Sequence, residues 1–154
     1  MLDEVQKVPD VFVAFKTPKV HLSDSGLASA LLGVDASALV RDRPLLGQFL
    51  ETFVYEELHR MASWHEDPLR FFHFRDKDGV EVDIVVERGA QALAGVEVKA
   101  SSTVKAADFR GLRRLREVAG GRFAAGVVLY DGETAASFGD QLFAVPVRAL
   151  WETK

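Results

Sequence analysis

The chain has 154 residues and a formal net charge of −4, with 48% apolar and 27% charged residues and no cysteine. That balance fits one globular domain able to bury its own core, and it excludes disulfides, thiolate metal sites and cysteine nucleophiles. No apolar run reaches the roughly 20 residues that a membrane-spanning helix needs, so the sequence predicts a cytoplasmic protein without membrane contact.

Residues 1–16 are set off by a break at Pro18. Val20–Leu22 reads as a short strand, with Ser23 or Asp24 capping a helix over 25–32 that Gly33 closes. Residues 34–44 read as a loop or ragged turn, and Pro44 opens the next helix. That helix, 45–61, places Leu46, Phe49, Leu50, Phe53, Val54, Leu58 and Met61 on one face. The hydrophobic period then changes to two. Segments 70–76, 80–87 and 93–100 read as three consecutive strands, with turns at Lys77-Asp78-Gly79 and Arg88-Gly89-Ala90. A helix over 103–119 ends at Gly120-Gly121. Phe123–Tyr130 is apolar enough for a central strand, followed by a last strand at 141–145 and a short terminal helix at 147–151. A strand set linked by hairpins, then a helical crossover to a buried strand, predicts an α/β fold with a mixed sheet flanked by helices.

The second and third strands carry the chemistry. Simple alternation puts Asp83 on one face with Glu81, Val85 and Glu87, and turns Glu97 and Lys99 away from Val96 and Val98. If these strands pair, Asp83, Glu97 and Lys99 converge on one side of the sheet. Two neighbouring carboxylates repel unless a hard cation lies between them, and Mg²⁺ commonly takes one or two carboxylates with water and phosphate oxygens. A lysine beside that cation orients or deprotonates a water, or steadies charge on a phosphoryl group.

The helix 45–61 supplies two further carboxylates. On its wheel Glu57 lies near the middle of the apolar face and Glu51 on the flank, about 110° away. A carboxylate in mid-core is costly unless paired or metal-bound. Residues 99–122 hold seven Lys/Arg against two Asp/Glu, a net +5 inside an acidic chain. In the helix there, Arg110, Arg113 and Arg114 lie opposite Phe109, Leu112, Leu115 and Val118, which offers them as contacts to nucleic-acid phosphates. His21, His59, His65 and His73 have no metal-binding spacing and read as packing or surface residues.

Asp83, thirteen intervening residues and then Glu97-Val98-Lys99 resemble the Asp…(Asp/Glu)-x-Lys signature of the PD-(D/E)XK nuclease superfamily, although Val82 stands where many members have proline. The resemblance implies a restriction-endonuclease-like fold with a helix–three strands–helix–strand core. It also implies Mg²⁺ or Mn²⁺ held by Asp83 and Glu97, a catalytic Lys99, and Glu51 as a helix carboxylate that completes the metal shell and assists catalysis, with Glu57 in reserve. Residues 17–151 resemble the C-terminal nuclease-like domain of a prokaryotic AAA+-type ATPase family, through KVHLSDSGLASALL (19–32), GQFLETFVYEEL (47–58), FHFRDKDGVEVDIVV (72–86), VEVKAS (96–101) and VLYDG (128–132). Residues 2–16, LDEVQKVPDVFVAFK, resemble the Walker B segment of that family's ATPase domain. No G-x-x-x-x-G-K-[ST] loop accompanies them, so ATP hydrolysis by this chain alone is not expected.

The expected organisation is a Walker B remnant at 1–16, left by truncation or internal deletion, and a nuclease-like domain at 17–154 with its core at about 45–145. The expected function is metal-dependent cleavage of nucleic acid, DNA in the first instance, by a chain that would dimerise to cut two strands. The rival is a non-catalytic module of such an ATPase that binds nucleic acid or protein, which the acidic total charge favours.

Overall fold

A computed structural model describes residues 2–4, 20–22 and 25–152. Most of the 1–16 segment read as a Walker B remnant, the break at Pro18 and the expected cap at Ser23 or Asp24 lie outside the described residues. Strand β1 (Leu2–Glu4) pairs antiparallel with β2 (Val20–Leu22).

Three helices follow: α1 (Ser25–Leu32), α2 (Ala36–Arg41) and α3 (Arg43–Ala62). The stretch 34–44, expected as a loop or a ragged helical turn, contains a short regular helix. Two aspartates explain it. Asp35 accepts from the Ala38 amide at 2.7 Å and starts α2, and Asp42 accepts from the Leu45 amide at 3.0 Å and starts α3, each satisfying an otherwise unpaired helical N–H. Pro44 sits in the first turn of α3, where its missing N–H costs nothing.

The main sheet has six strands: β3 (Leu69–Arg75), β4 (Glu81–Arg88), β5 (Ala92–Lys99), β6 (Phe123–Tyr130), β7 (Ala136–Ser137) and β8 (Leu142–Pro146). Their spatial order is β3-β4-β5-β6-β8-β7. The first three pair antiparallel, β5–β6 and β6–β8 pair parallel, and β7–β8 pair antiparallel. The crossover from β5 to β6 carries α4 (Arg110–Ala119), entered through a 3-10 turn at Ala106–Phe109. The fold is thus a mixed α/β sheet flanked by helices, in the expected order of helix, three strands, helix and strand.

The helices lie on opposite faces. Tyr55 of α3 meets Phe71 edge-on at 5.9 Å. On the other face, a Cβ on Gly95 would stand 2.7 Å from both Leu112 and Leu115 of α4, so glycine lets that helix approach β5 closely. The core face of α4 runs through Phe109, Leu112, Leu115 and Ala119, and Val118, expected inside, is exposed. Met61 is likewise exposed at the end of α3, whose fully buried residues are Val54 and Tyr55. No described helix is long and apolar enough to cross a membrane.

Candidate functional site

Strand β4 does not alternate simply. Phe72 lies opposite Val85, and Phe74 opposite Val82, so Asp83 and Ile84 together face the single residue His73. That two-against-one count is a β-bulge. Phe72 and Phe74 share a face, hence Val82 and Val85 share it too, and the face assignment of Asp83 with Val85 fails. The bulge coincides with the end of the β4–β5 ladder, whose last pair towards this end is Ile84↔Val96. Beyond it the Val98 amide donates to Asp83 Oδ2 at 2.9 Å. The Asp83 carboxylate is therefore fixed against the backbone between Glu97 and Lys99.

On β5, Gly95, Glu97 and Lys99 occupy the face covered by α4. Glu97 is buried, at 6% exposure, and its Oε2 lies 3.6 Å from Lys99 Nζ, which remains partly open to solvent. Its other oxygen faces α4, since a Cβ on Gly111 would stand 2.8 Å from Glu97 Oε1. Asp83, bonded to the backbone of the residue between Glu97 and Lys99, and the Glu97–Lys99 pair thus lie at one end of two adjacent strands. Two hard oxygen donors beside a lysine suit Mg²⁺ or Mn²⁺ that completes its shell with water and phosphate oxygens.

Glu51 is part-buried on α3, against the opposite face of the sheet, and no three His, Asp or Glu side chains among the described residues form a group that could hold a metal. The structure also exchanges the two helix carboxylates. At about 100° per residue, Glu51 lies about 10° from the midpoint between buried Val54 and Tyr55, and Glu57 about 110° from it. Glu57 is paired with Arg60 on the flank, so the predicted mid-face position belongs to Glu51. The apolar wheel misleads because the fold buries Val54 and Tyr55 while leaving Phe49 and Phe53 part-buried and Met61 exposed.

The arginines of α4 divide. Arg114 Nε donates to Asp76 at 3.0 Å and its Nη1 to Glu117 at 3.1 Å. Arg113 donates to the Ala106 carbonyl at 2.7 Å and lies over the Phe109 ring. Arg110 is exposed and forms no ion pair among the described residues. All three line an open groove of about 450 Å³ together with Asp76, Asp78 and Glu117, which offset much of their charge. Asp76, missed by the sequence reading, anchors this region. Desolvation pushes its carboxyl up, but the Val80 amide, Arg114 and the Asp78 amide outweigh that and hold it below the usual carboxylate value.

Glu87, four residues along β4 from Asp83, belongs to a separate cluster. It is buried and clamped by Arg70 at 2.5 Å and Arg122 at 2.6 Å. Of the histidines, His59 stacks near Tyr55 and Phe71, His65 is exposed and His73 is buried, while the side chain of His21 lies outside the described residues. Ser101 bonds to Thr103 in the loop before the 3-10 turn.

A family model described as a domain of unknown function, DUF4143, matches residues 46–150. The chain belongs to this family. It is 30% identical over 139 residues to the uncharacterized proteins Mb2031c of Mycobacterium bovis and Rv2008c of Mycobacterium tuberculosis. The match takes in 90% of this DUF4143 chain and 29% of each relative, so the chain spans under a third of their length. A partial structural likeness, with a TM-score of 0.47 and 14% identity, joins 65% of this chain to 27% of a chain in an assembly of Thermococcus gammatolerans McrB AAA+ hexamers with bound McrC. That likeness carries no function with it.

Proposed function

We propose that this DUF4143 domain is a metal-dependent phosphodiesterase of the PD-(D/E)XK kind that acts on DNA, working within a longer AAA+-type ATPase. What supports the reading is the placement of Asp83, Glu97 and Lys99 at the end of the β4–β5 ladder, with the Asp83–Val98 amide bond at 2.9 Å and the Glu97–Lys99 pair at 3.6 Å. Asp83 and Glu97 would hold Mg²⁺ or Mn²⁺, which when bound polarises a phosphate oxygen and lowers the pKa of a bound water. The Val98 amide keeps the Asp83 carboxylate in one orientation. Lys99, a donor of three N–H groups, would hold the attacking water or the phosphate oxygen, while its pairing with Glu97 fixes the ammonium at the site. Glu51, part-buried on α3, would be the helix carboxylate that completes the metal shell. Arg110 would contact a backbone phosphate, and a second copy of the chain would serve the second strand.

A non-catalytic binding module is the second reading. It is favoured by the pairing of Arg114 with Asp76 and Glu117, which removes one arginine from phosphate binding, and by the lack of a three-carboxylate group among the described residues. Calorimetric titration of Mn²⁺ and Mg²⁺ separates the two. The phosphodiesterase reading predicts binding to the wild type that disappears in Asp83→Ala. DNA binding with no metal uptake by the wild type favours the module.

A further inference from the structure

Helix α4 lies on β4 and β5 at a point where only glycine fits. Gly111, in the first turn of α4, is buried, and a Cβ there would stand 2.1 Å from the Glu81 carbonyl oxygen and 2.8 Å from Glu97 Oε1. The first contact is with backbone, which cannot rotate aside, and the second is with the carboxylate of the candidate site. Real Cβ atoms do not approach other heavy atoms to 2.1 Å, because repulsion rises steeply inside van der Waals contact. Any larger residue must therefore lift α4 from β4, and must displace Glu97 as well unless that lift clears it.

The contact falls where the β4–β5 pairing gives out. The ladder ends at Ile84↔Val96, and the first turn of α4 enters beside that end. At Gly111 the helix covers Glu97 Oε1, while Glu97 Oε2 points to Lys99 Nζ. The helix interior gives glycine no advantage of its own, costing about 1 kcal/mol against alanine. Its place in the sequence Arg110-Gly111-Leu112 is explained by what it lies against.

We propose that Gly111 is the positioning residue of the Asp83–Glu97–Lys99 site. By having no side chain it seats α4 on Glu97, closes one carboxylate oxygen off from water and leaves the other directed at Lys99. The inference rests on the phosphodiesterase reading above for its functional consequence, and on steric contact alone for its structural one. Gly121 provides the control, because a Cβ there meets nothing within 4 Å.

The test measures Mn²⁺ affinity by calorimetry in wild type, Gly111→Ala and Gly121→Ala, and melting temperature in these variants, Glu97→Ala and the double variant Gly111→Ala/Glu97→Ala. Folded Gly111→Ala should lose at least about tenfold in Mn²⁺ affinity, the range seen when groups that orient metal ligands are removed. Gly121→Ala should match the wild type. The fall in melting temperature caused by Gly111→Ala should be smaller in the Glu97→Ala background, where one of the two obstructions is gone. Wild-type affinity in a folded Gly111→Ala, or an equal fall in both backgrounds, overturns the proposal.

If Gly111→Ala does not fold, amide hydrogen exchange in Glu97→Ala decides. Faster exchange at 112–115 with an unchanged last turn of α4 supports the seating of the helix on Glu97, and unchanged exchange at 112–115 contradicts it. A wild type that takes up no Mn²⁺ defeats the phosphodiesterase reading. The melting and exchange results still judge the seating.

Discussion

Asp76 Oδ1 accepts the Asp78 and Val80 amides, both at 2.9 Å, and Oδ2 accepts Arg114 at 3.0 Å, so one carboxylate ties the β3–β4 turn to α4. These bonds favour the ionised form, and together they outweigh the desolvation that opposes it. A folded-state pKa below the unfolded value contributes stability that is present above the unfolded value, about 3.9, and is lost as pH falls through the folded one. The difference in melting temperature between wild type and Asp76→Asn should therefore hold steady from neutral pH to about pH 5 and shrink below about pH 4. A difference that stays constant through that acid range contradicts this account. Arg114 shows where residue-level reading stops. Its exposed position on the wheel marked it for phosphate, but the aspartate that occupies it is 38 residues away and carries no local signal.

At the scale of elements, start and stop signals located α1, and periodicity located α3 and the three antiparallel strands, because apolar spacing of 3.6 and 2 reports directly on a buried face. It failed in β4 past Val82. The segment VEVDIVVE alternates on paper, but the bulge opposite His73 inserts a residue and moves Val82 to the face of Val85. Bulges leave no trace in a binary pattern. The same strand holds Glu87, whose clamp joins β3, β4 and the turn after α4. Arg122 is 29% exposed and hydrogen-bonds Glu87, whereas Arg70 is 60% exposed and only ion-pairs with it, so the two contacts should not be equal. Arg122→Ala should cost about 1.5–3 kcal/mol, as for a hydrogen bond to a buried charged group, and Arg70→Ala about 0–1 kcal/mol, as for a solvent-screened pair. Urea denaturation of the two variants checks the order, and a larger loss in Arg70→Ala reverses it. Gly95 makes a second demand on α4. Gly95→Ala should destabilise by about 1–3 kcal/mol through overpacking against Leu112 and Leu115, and an unchanged denaturation midpoint contradicts the close approach.

Across the whole molecule, the β5–α4–β6 crossover brings the basic segment back over the strands that carry the carboxylates. Glu97 and Lys99 lie at the carboxyl end of β5, level with Val128 and Tyr130 of the parallel neighbour β6, the end of the strands at which open α/β sheets bind ligands. The strands that carry Asp83, Glu97 and Lys99 were legible from their apolar period, but the side of the sheet taken by Asp83 was not. Gly111 was not, since its contacts with Glu81 and Glu97 come only from the packing of α4. The exchange of Glu51 and Glu57 has a similar origin, because a wheel gives relative angles but the sheet chooses which angle faces inward. The net charge of −4 also conceals the +5 segment 99–122, part of whose charge the fold then neutralises at Asp76 and Glu117. The most direct measurement is cleavage of supercoiled, linear duplex and single-stranded DNA in Mg²⁺ or Mn²⁺ by wild type, Asp83→Ala and Lys99→Ala. The account predicts metal-dependent cleavage by the wild type that falls by at least about a hundredfold in both variants, with their melting curves intact; cleavage at the wild-type rate by both variants would contradict it.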